Sequence, residues 1–324
     1  MTNLLDRALD RTVVLGYSKV GSALRRRWWP ADPEPGALAG KRVLVTGATS
    51  GIGEAMARSF AGLGATVHLL GRNGDKLAGV ARQLRLDLPA AEVVEEVCDV
   101  GDLDAVRAWA TGFVDRVPAL HGLVHNAGTM TEDREEGPQG HELALSVHVL
   151  GPHVLTELLL GPLIAAGGSS VVWMSSGGMY SAALPGDVDG YESRGVDRGG
   201  YNGVRAYART KRMQVVMADA WARRLAAQDV RVESMHPGWV GTPGVATHLP
   251  TFNMISRPVL RDSEDGADTA VWLVATRPAS QPPHFWHDRA QRPVTLAGRH
   301  EPDPVDVRRF LAWVSDTTGT ADVW

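Results

Sequence analysis

The sequence predicts an α/β protein: a doubly wound parallel sheet with helices on both faces, built as a single domain. Three observations predict it. From Lys41 onward, short apolar runs alternate strictly with segments of helical period, the pattern of a parallel sheet with helical crossovers. The first such run ends in a glycine-rich turn that leads straight into a helix. The chain has 324 residues, 44% apolar and 22% charged, which suits one large core with extensions.

The elements follow in order. RVLVTG, residues 42–47, is a buried-strand run ending in glycine, and IGEAMARSFAGLG reads as a helix closed by Gly64. ATVHLL is the second strand, DKLAGVARQLRL a helix, and AEVVEEVCDV contains the third strand. DLDAVRAWATGFVDRV is a helix with Asp102 as its N-cap. ALHGLVHN is the fourth strand, residues 138–166 a long helical stretch, and SSVVWMSS the fifth strand. Residues 204–227 form a helix, VRVESMHPG the sixth strand, and SEDGADTAVWLVAT a further helix. Two stretches break the rhythm, 177–203 and 238–262, and both follow strand ends. Ligands of such sheets bind at the carboxyl ends of strands, so these are expected to be substrate-side loops. The first is expected either to act as a lid or to loop out. The domain as a whole is expected to span residues 40–300, with a helical tail over 301–324.

Residues 1–39 stand apart. VVLGYSKVGSALRRRWWP has apolar positions near helical spacing, then three arginines and two tryptophans, and ADPEPGALAG follows as a linker. One reading is a helix packed on the main domain. The other is a peripheral membrane contact through residues 13–29, since basic residues beside Trp suit a headgroup boundary. Asp6 and Asp10 weigh against an anchor and against a secretory signal. No run of 18 apolar residues occurs, so no transmembrane helix is expected.

Bulk charge excludes some classes. The net charge of −4 gives no field that draws the chain to nucleic acid. Cys98 is the sole cysteine, so neither an internal disulfide nor a Cys-rich metal site can form, and a cytoplasmic setting is expected. His121 and His125 are four apart in a strand, roughly 13 Å, too far to share a metal. No metal is therefore expected. A serine hydrolase needs GxSxG, whereas Met174-Ser175-Ser176-Gly177-Gly178 lacks the first glycine.

The turn TGATSGIG carries Gly47, Gly51 and Gly53 as GxxxGxG between strand and helix. Glycines there permit a tight turn and close approach of a pyrophosphate to the helix N-terminus, so a Rossmann-type dinucleotide site is expected, with Ser50 and Ile52 in the same loop. The second strand ends in Gly71 and Arg72 rather than an acidic residue. An arginine can pair with a 2′-phosphate, so NADP(H) is expected over NAD(H), with Asn73 beside it. Tyr207 and Lys211 lie four apart on a helix, hence on one face. A nearby ammonium lowers a phenol's pKa from about 10, which would let Tyr207 serve as general acid or base near neutrality.

Taken in order, these residues resemble the short-chain dehydrogenase/reductase family. The matching motifs are TGATSGIG; Asp99 and Val100; Asn126, Ala127 and Gly128; Ser176; Tyr207 and Lys211; and Pro237, Gly238, Val240 and Thr242. Details such as MSSGGM, MHPGWVGTPGV and FWHDR are similar to the family's dehydrogenase/reductase member 12 subgroup. The resemblance implies a seven-stranded parallel sheet. It places Asp99 and Val100 at the adenine, Asn126–Gly128 at the ribose and fourth strand, and Pro237, Gly238, Val240 and Thr242 at the nicotinamide. It gives Lys211 the nicotinamide ribose. Strand alternation lets only one of Ser175 and Ser176 face the substrate, and the resemblance picks Ser176 for the substrate oxygen. It also implies homo-oligomers through the 138–165 and Tyr207 helices, although the N-terminal extension could cover that surface instead.

One residue departs from the family pattern. Where an asparagine often organises a proton-relaying water, SVHVLGP places His148. A histidine titrates near neutrality, so two readings stand: a relay that sharpens pH dependence near about 6–7, or a packed core residue. The expected activity is hydride transfer between nicotinamide and a carbonyl or alcohol. Trp239, Leu249, Phe252, Met254 and Ile255 suggest an apolar substrate. The alternative is a weakly catalytic dinucleotide-sensing or scaffold protein of the same fold.

Overall fold

The computed structural model describes residues 6, 9, 16–241, 254, 256–296 and 298–324. Strands β1 (Arg42–Thr46), β2 (Thr66–Gly71), β3 (Val93–Val97), β4 (Gly122–His125), β5 (Ser169–Met174), β6 (Val230–Met235), β7 (Phe285–His287) and β8 (Ala290–Gln291) form one sheet. Their order is β3-β2-β1-β4-β5-β6-β7-β8. All pairs are parallel except β7 with β8. The two-residue β8 thus adds an antiparallel edge to the seven parallel strands expected.

Strand alternation splits the core in two. Val43, Val45, Val67, Leu69, Val172 and Met174 face one layer. It is built from α2 (Gly51–Gly62), α3 (Gly74–Asp87) and α8 (Ser263–Thr276). Leu44, Leu70, Leu123, Val171 and Trp173 face the other. There α4 (Leu103–Arg116), α5 (Gly151–Leu158), α6 (Leu160–Ala165), α7 (Gly203–Leu225) and α9 (Pro304–Thr318) pack. Burial on both faces explains why the strands read as continuous apolar runs. The cap expected at Asp102 forms, its carboxylate accepting from the Asp104 and Ala105 N–H groups. Asn202 caps α7 in the same way.

The stretch expected as one helix over 138–166 is not one. Helix begins at Leu143, passes through a π-helical Ser146–Leu150 into α5, and breaks at Leu159 before α6. The segment 177–203 does not loop out but packs on the domain. Tyr191 is fully buried against Phe310 and Trp313. Glu192 accepts from His141 Nδ1 at 2.7 Å and from the Glu142 N–H at 2.9 Å. Arg209 holds Asp197 with two bonds of 3.1 and 2.9 Å.

Before the sheet, α1 (Lys19–Arg25) packs on the domain and buries Gly21, Ser22 and Arg25. Arg25 is wholly buried, its guanidinium reaching Asp6 and Asp288 at 2.8 Å each. Arg261 holds the other side of Asp288 and Arg292 holds Asp6. This is the packed-helix alternative, with Arg26 and Arg27 still exposed. Among the described residues no helix is long and apolar enough to cross a membrane. At the other end, α9 lays Phe310, Leu311 and Val314 into the core layer, and Trp324 packs on Trp221 at 5.4 Å. This tail covers part of the α5 and α7 surface from which oligomers were expected.

Candidate active site

The sheet order reverses between β1 and β4, and the crevice outside that switch point is where such folds bind ligands. The glycine turn fills one side of it. Gly47 and Gly51 have φ of +66° and +57°, which side chains rarely adopt. A Cβ on Gly53 would lie 2.2 Å from the Gly47 carbonyl oxygen, and one on Gly47 would lie 2.8 Å from Ala127 Cα. Only glycine lets turn, helix and β4 approach this closely. Ser50 is exposed at the N-cap of α2, where its side chain makes no capping bond, and Ile52 packs partly buried beside it.

Asn126 ties β1 to β4. Its Nδ2 donates to the Thr46 and Gly47 carbonyls at 3.0 and 3.2 Å. Thr46 Oγ1 accepts from the Asn126 and Ala127 N–H groups at 3.0 and 2.9 Å. Gly128 then brings the chain against His148: a Cβ there would meet its Nε2 at 3.2 Å. Arg72 follows the end of β2, exposed and with no ion pair among the described residues. Asn73 caps α3, accepting from the Lys76 N–H. Asp99 and Val100 follow β3, and Asp99 Oδ1 accepts from the Gly101 N–H at 2.9 Å. Pro237, Gly238 and Val240 follow β6. Thr242 lies outside the described residues, as do Leu249, Phe252 and Ile255. Along the sheet edge the expected cofactor residues therefore form one arc, from Asp99 across Arg72 and the glycine turn to Asn126 and Gly238. A backbone cradle with this backing fits a dinucleotide.

The second group gathers at the end of β5. Ser175 is buried and its Oγ donates to the Lys211 carbonyl at 2.8 Å. Ser176 Oγ accepts the Gly178 N–H at 3.2 Å, and Ser176 is near enough to Tyr207 to pull the pKa of its hydroxyl down. Lys211 is 3% exposed, its Nζ donates to the Met174 carbonyl at 2.8 Å, and it lies 5.3 Å from the Tyr207 ring centre. Burial brings the Lys211 ammonium down to about 7. Burial also pushes the Tyr207 hydroxyl up, against the smaller downward pull of Ser176. The expectation that Lys211 would set the tyrosine's pKa is thus corrected: desolvation dominates both groups, and a partly neutral amine exerts little Coulombic pull.

His148 is wholly buried. Its Nε2 accepts the Thr129 N–H at 3.0 Å, so its proton sits on Nδ1 and is donated to Thr210 Oγ1 at 2.8 Å. The ring stands edge-on to Tyr207 with centres 5.4 Å apart. Burial, with Lys211 second, holds its pKa well below 6.5. The expected titration near pH 6–7 is overturned. Both ring nitrogens are also spent on the protein, so the ring joins the β4 loop to α7 rather than organising water.

Thr46 belongs to the TGATSGIG motif, but its clamping role shows only when β1 and β4 are paired. Sequence reasoning missed one contributor. Tyr17, from the N-terminal segment, contacts Gly177 beside Ser176, and no local signal links residues so far apart.

The short chain dehydrogenase family matches residues 41–184. Dehydrogenase/reductase SDR family member 12 of Bos taurus is 32% identical over 298 residues, 91% of this chain and 92% of its own. Retinol dehydrogenase 14 of Homo sapiens is 31% identical over 75% of this chain and 76% of its own. A solved Shigella flexneri 2a structure, described as a short chain dehydrogenase complexed with NADP, is 28% identical. It aligns with a TM-score of 0.60 over 74% of this chain and 93% of that one.

Proposed function

This chain belongs to the short-chain dehydrogenase/reductase family and is an oxidoreductase, and from that premise we propose that it is NADP(H)-dependent and acts on the carbonyl or alcohol of an apolar small molecule. The observation that carries the proposal is the cluster at the end of β5, where Ser176, Tyr207 and a buried Lys211 converge. Bound nicotinamide would supply or accept the hydride.

The chain's own residues do the rest. Gly47, Ser50, Gly51, Ile52 and Gly53 seat the pyrophosphate against the α2 N-terminus. Arg72, with Asn73, meets the 2′-phosphate, which favours NADP(H) over NAD(H); the bound NADP of the Shigella protein supports this. Asp99 and Val100 border the adenine. Asn126, Ala127 and Gly128 border the ribose, and Pro237, Gly238, Val240 and Thr242 the nicotinamide. Ser176 holds the substrate oxygen. Tyr207, kept protonated by burial, donates its proton to that oxygen as a carbonyl is reduced, and accepts one in the reverse direction. Lys211 holds the nicotinamide ribose and, while charged, stabilises the phenolate left behind. The name of the human relative, a retinol dehydrogenase, supports an apolar substrate.

The test is turnover of NADPH with a panel of apolar ketones and aldehydes. Tyr207→Phe is expected to lower kcat by about 10²–10⁴ while NADPH binding, read by fluorescence titration, stays within about twofold. Unchanged turnover in Tyr207→Phe would remove the tyrosine from the mechanism.

A further inference from the structure

Two turns border the cluster at the sheet edge, one after β5 and one after β6, and Tyr17, from the segment before the sheet, touches both. Tyr17 is 3% exposed. A Cβ on Gly177 would lie 3.0 Å from Tyr17 Cε2 and 3.3 Å from Cδ2, so the ring closes directly over the residue that follows Ser176. The same ring stands edge-on to His236 at 4.5 Å between centres. The Tyr17 carbonyl accepts the Trp239 N–H at 2.8 Å and Arg261 Nε at 3.0 Å. A Cβ on Gly238, whose φ is +82°, would lie 2.8 Å from that carbonyl oxygen.

Tyr17 is itself firmly held. The Gly16 carbonyl before it accepts from Arg25 at 2.9 Å and Arg261 at 3.1 Å. Both arginines converge on the buried Asp288. Buried charges that satisfy one another in this way fix one geometry, because no alternative arrangement pairs them.

We infer that Tyr17 is a positioning residue for the active site: its ring sets the Ser176–Gly177 turn and its carbonyl sets the Pro237–Val240 turn. The segment before the sheet is then part of the catalytic apparatus rather than an appendage. The inference rests on the reading of Ser176 as the group that holds the substrate oxygen. A displacement of that hydroxyl by about 1 Å is enough to cost up to about a hundredfold in rate.

The test uses the full-length protein with Tyr17→Leu, Tyr17→Ala and Gly177→Ala, followed by hydrogen-exchange mass spectrometry. The Gly178 and Met179 amides close onto Ser176 Oγ and its carbonyl. They are expected to exchange about tenfold faster in each variant, with β1 amides unchanged. Gly177→Ala keeps Tyr17 and drives a methyl against it, so it reports the contact even if Tyr17→Ala does not fold. Unchanged exchange over 176–181 in folded variants overturns the inference. So does an equal rise in β1, which marks a purely global role. In turnover, Tyr17→Leu is expected to lower kcat/KM for the carbonyl about tenfold while the NADPH Kd stays within about twofold. Parallel loss of both also overturns it. Exchange needs no turnover: a wild-type protein that reduces no carbonyl defeats the redox reading, while the exchange result still decides the role of Tyr17.

Discussion

The two ends of the sheet are held together by opposite means. From β3 to β4, where the dinucleotide is proposed to lie, the chain relies on backbone approach. Gly53 sits over the Gly47 carbonyl, and one asparagine and one threonine clamp β1 to β4. From β5 to β8, on the substrate side, it relies on buried charge. Asp6, Arg25, Asp288, Arg261 and Arg292 interlock, each 6% exposed or less. The first device is local in sequence and leaves room for a ligand's phosphates. The second joins residues more than 260 positions apart. The difference teaches that the cofactor side is shaped for occupancy and the substrate side for rigidity.

The largest expected effect breaks the second device. Asp288 lies between Arg25 and Arg261; burial pushes its carboxyl up, but His287, Arg261 and Arg25 together hold it far below the usual range. Asp288→Ala would leave two buried guanidiniums without their common partner, at a cost of about 3–5 kcal/mol in urea unfolding. If enough protein stays folded, NADPH affinity should hold within about twofold. A large loss of affinity would show that the two sides are not independent.

Gly53→Ala attacks the first device and should give the mirror image. The new methyl would lie 2.2 Å from a backbone oxygen, with no flexible side chain to yield. About 1–3 kcal/mol of stability should go. The titrated NADPH Kd should rise at least about tenfold, because the turn and the α2 N-terminus must part. Equal NADPH affinity in the variant would mean the cradle is not where the phosphates bind. A smaller and more selective effect belongs to Arg72→Ser. Removing this unpaired charge should lower the NADPH-over-NADH preference by about tenfold to a hundredfold, about 1.4–2.7 kcal/mol. Thermal stability should be unchanged, since the side chain is exposed and has no ion pair among the described residues. A ratio that does not move assigns the preference to another group.

The same contrast explains what could be read from the sequence. The strands, TGATSGIG and the Tyr207–Lys211 pair are local patterns, with signals carried by periods of two, three or four residues. The β3–β4 side is made of such patterns, and its strands and glycine turn were legible in the sequence. The substrate side was not. With 29 arginines in the chain, nothing marks Arg25 and Arg261 as the two that share Asp288. The π turn at Ser146–Leu150 has the apolar pattern of an ordinary helix, because one added residue in a fully buried run changes no period. The burial that overrides Lys211 and His148 is a property of the packed core, not of the residues.

His148 gives the smallest expected effect, and it separates the two regions most sharply because it sits where they meet. Its side chain bridges Thr129, after β4, to Thr210 on α7, and its folded-state pKa lies well below 6.5. Between that value and 6.5 the unfolded chain holds a proton that the folded chain does not. Stability from this site is therefore fully present above about pH 6.5 and falls as the pH drops below it. Buried His125, His153 and His236 are shifted in the same direction, so the melting temperature should decline from pH 6.5 toward 5 in the wild type. His148→Asn should remove one part of that decline and cost about 1 kcal/mol at pH 7.5, where the hydrogen bonds to the loop after β4 and to α7 are at stake. The pH–rate profile between 6 and 8 should keep its shape, because the imidazole is neutral throughout that range. A wild-type inflection near 6.5 that vanishes in His148→Asn would restore the relay and refute the neutral strut.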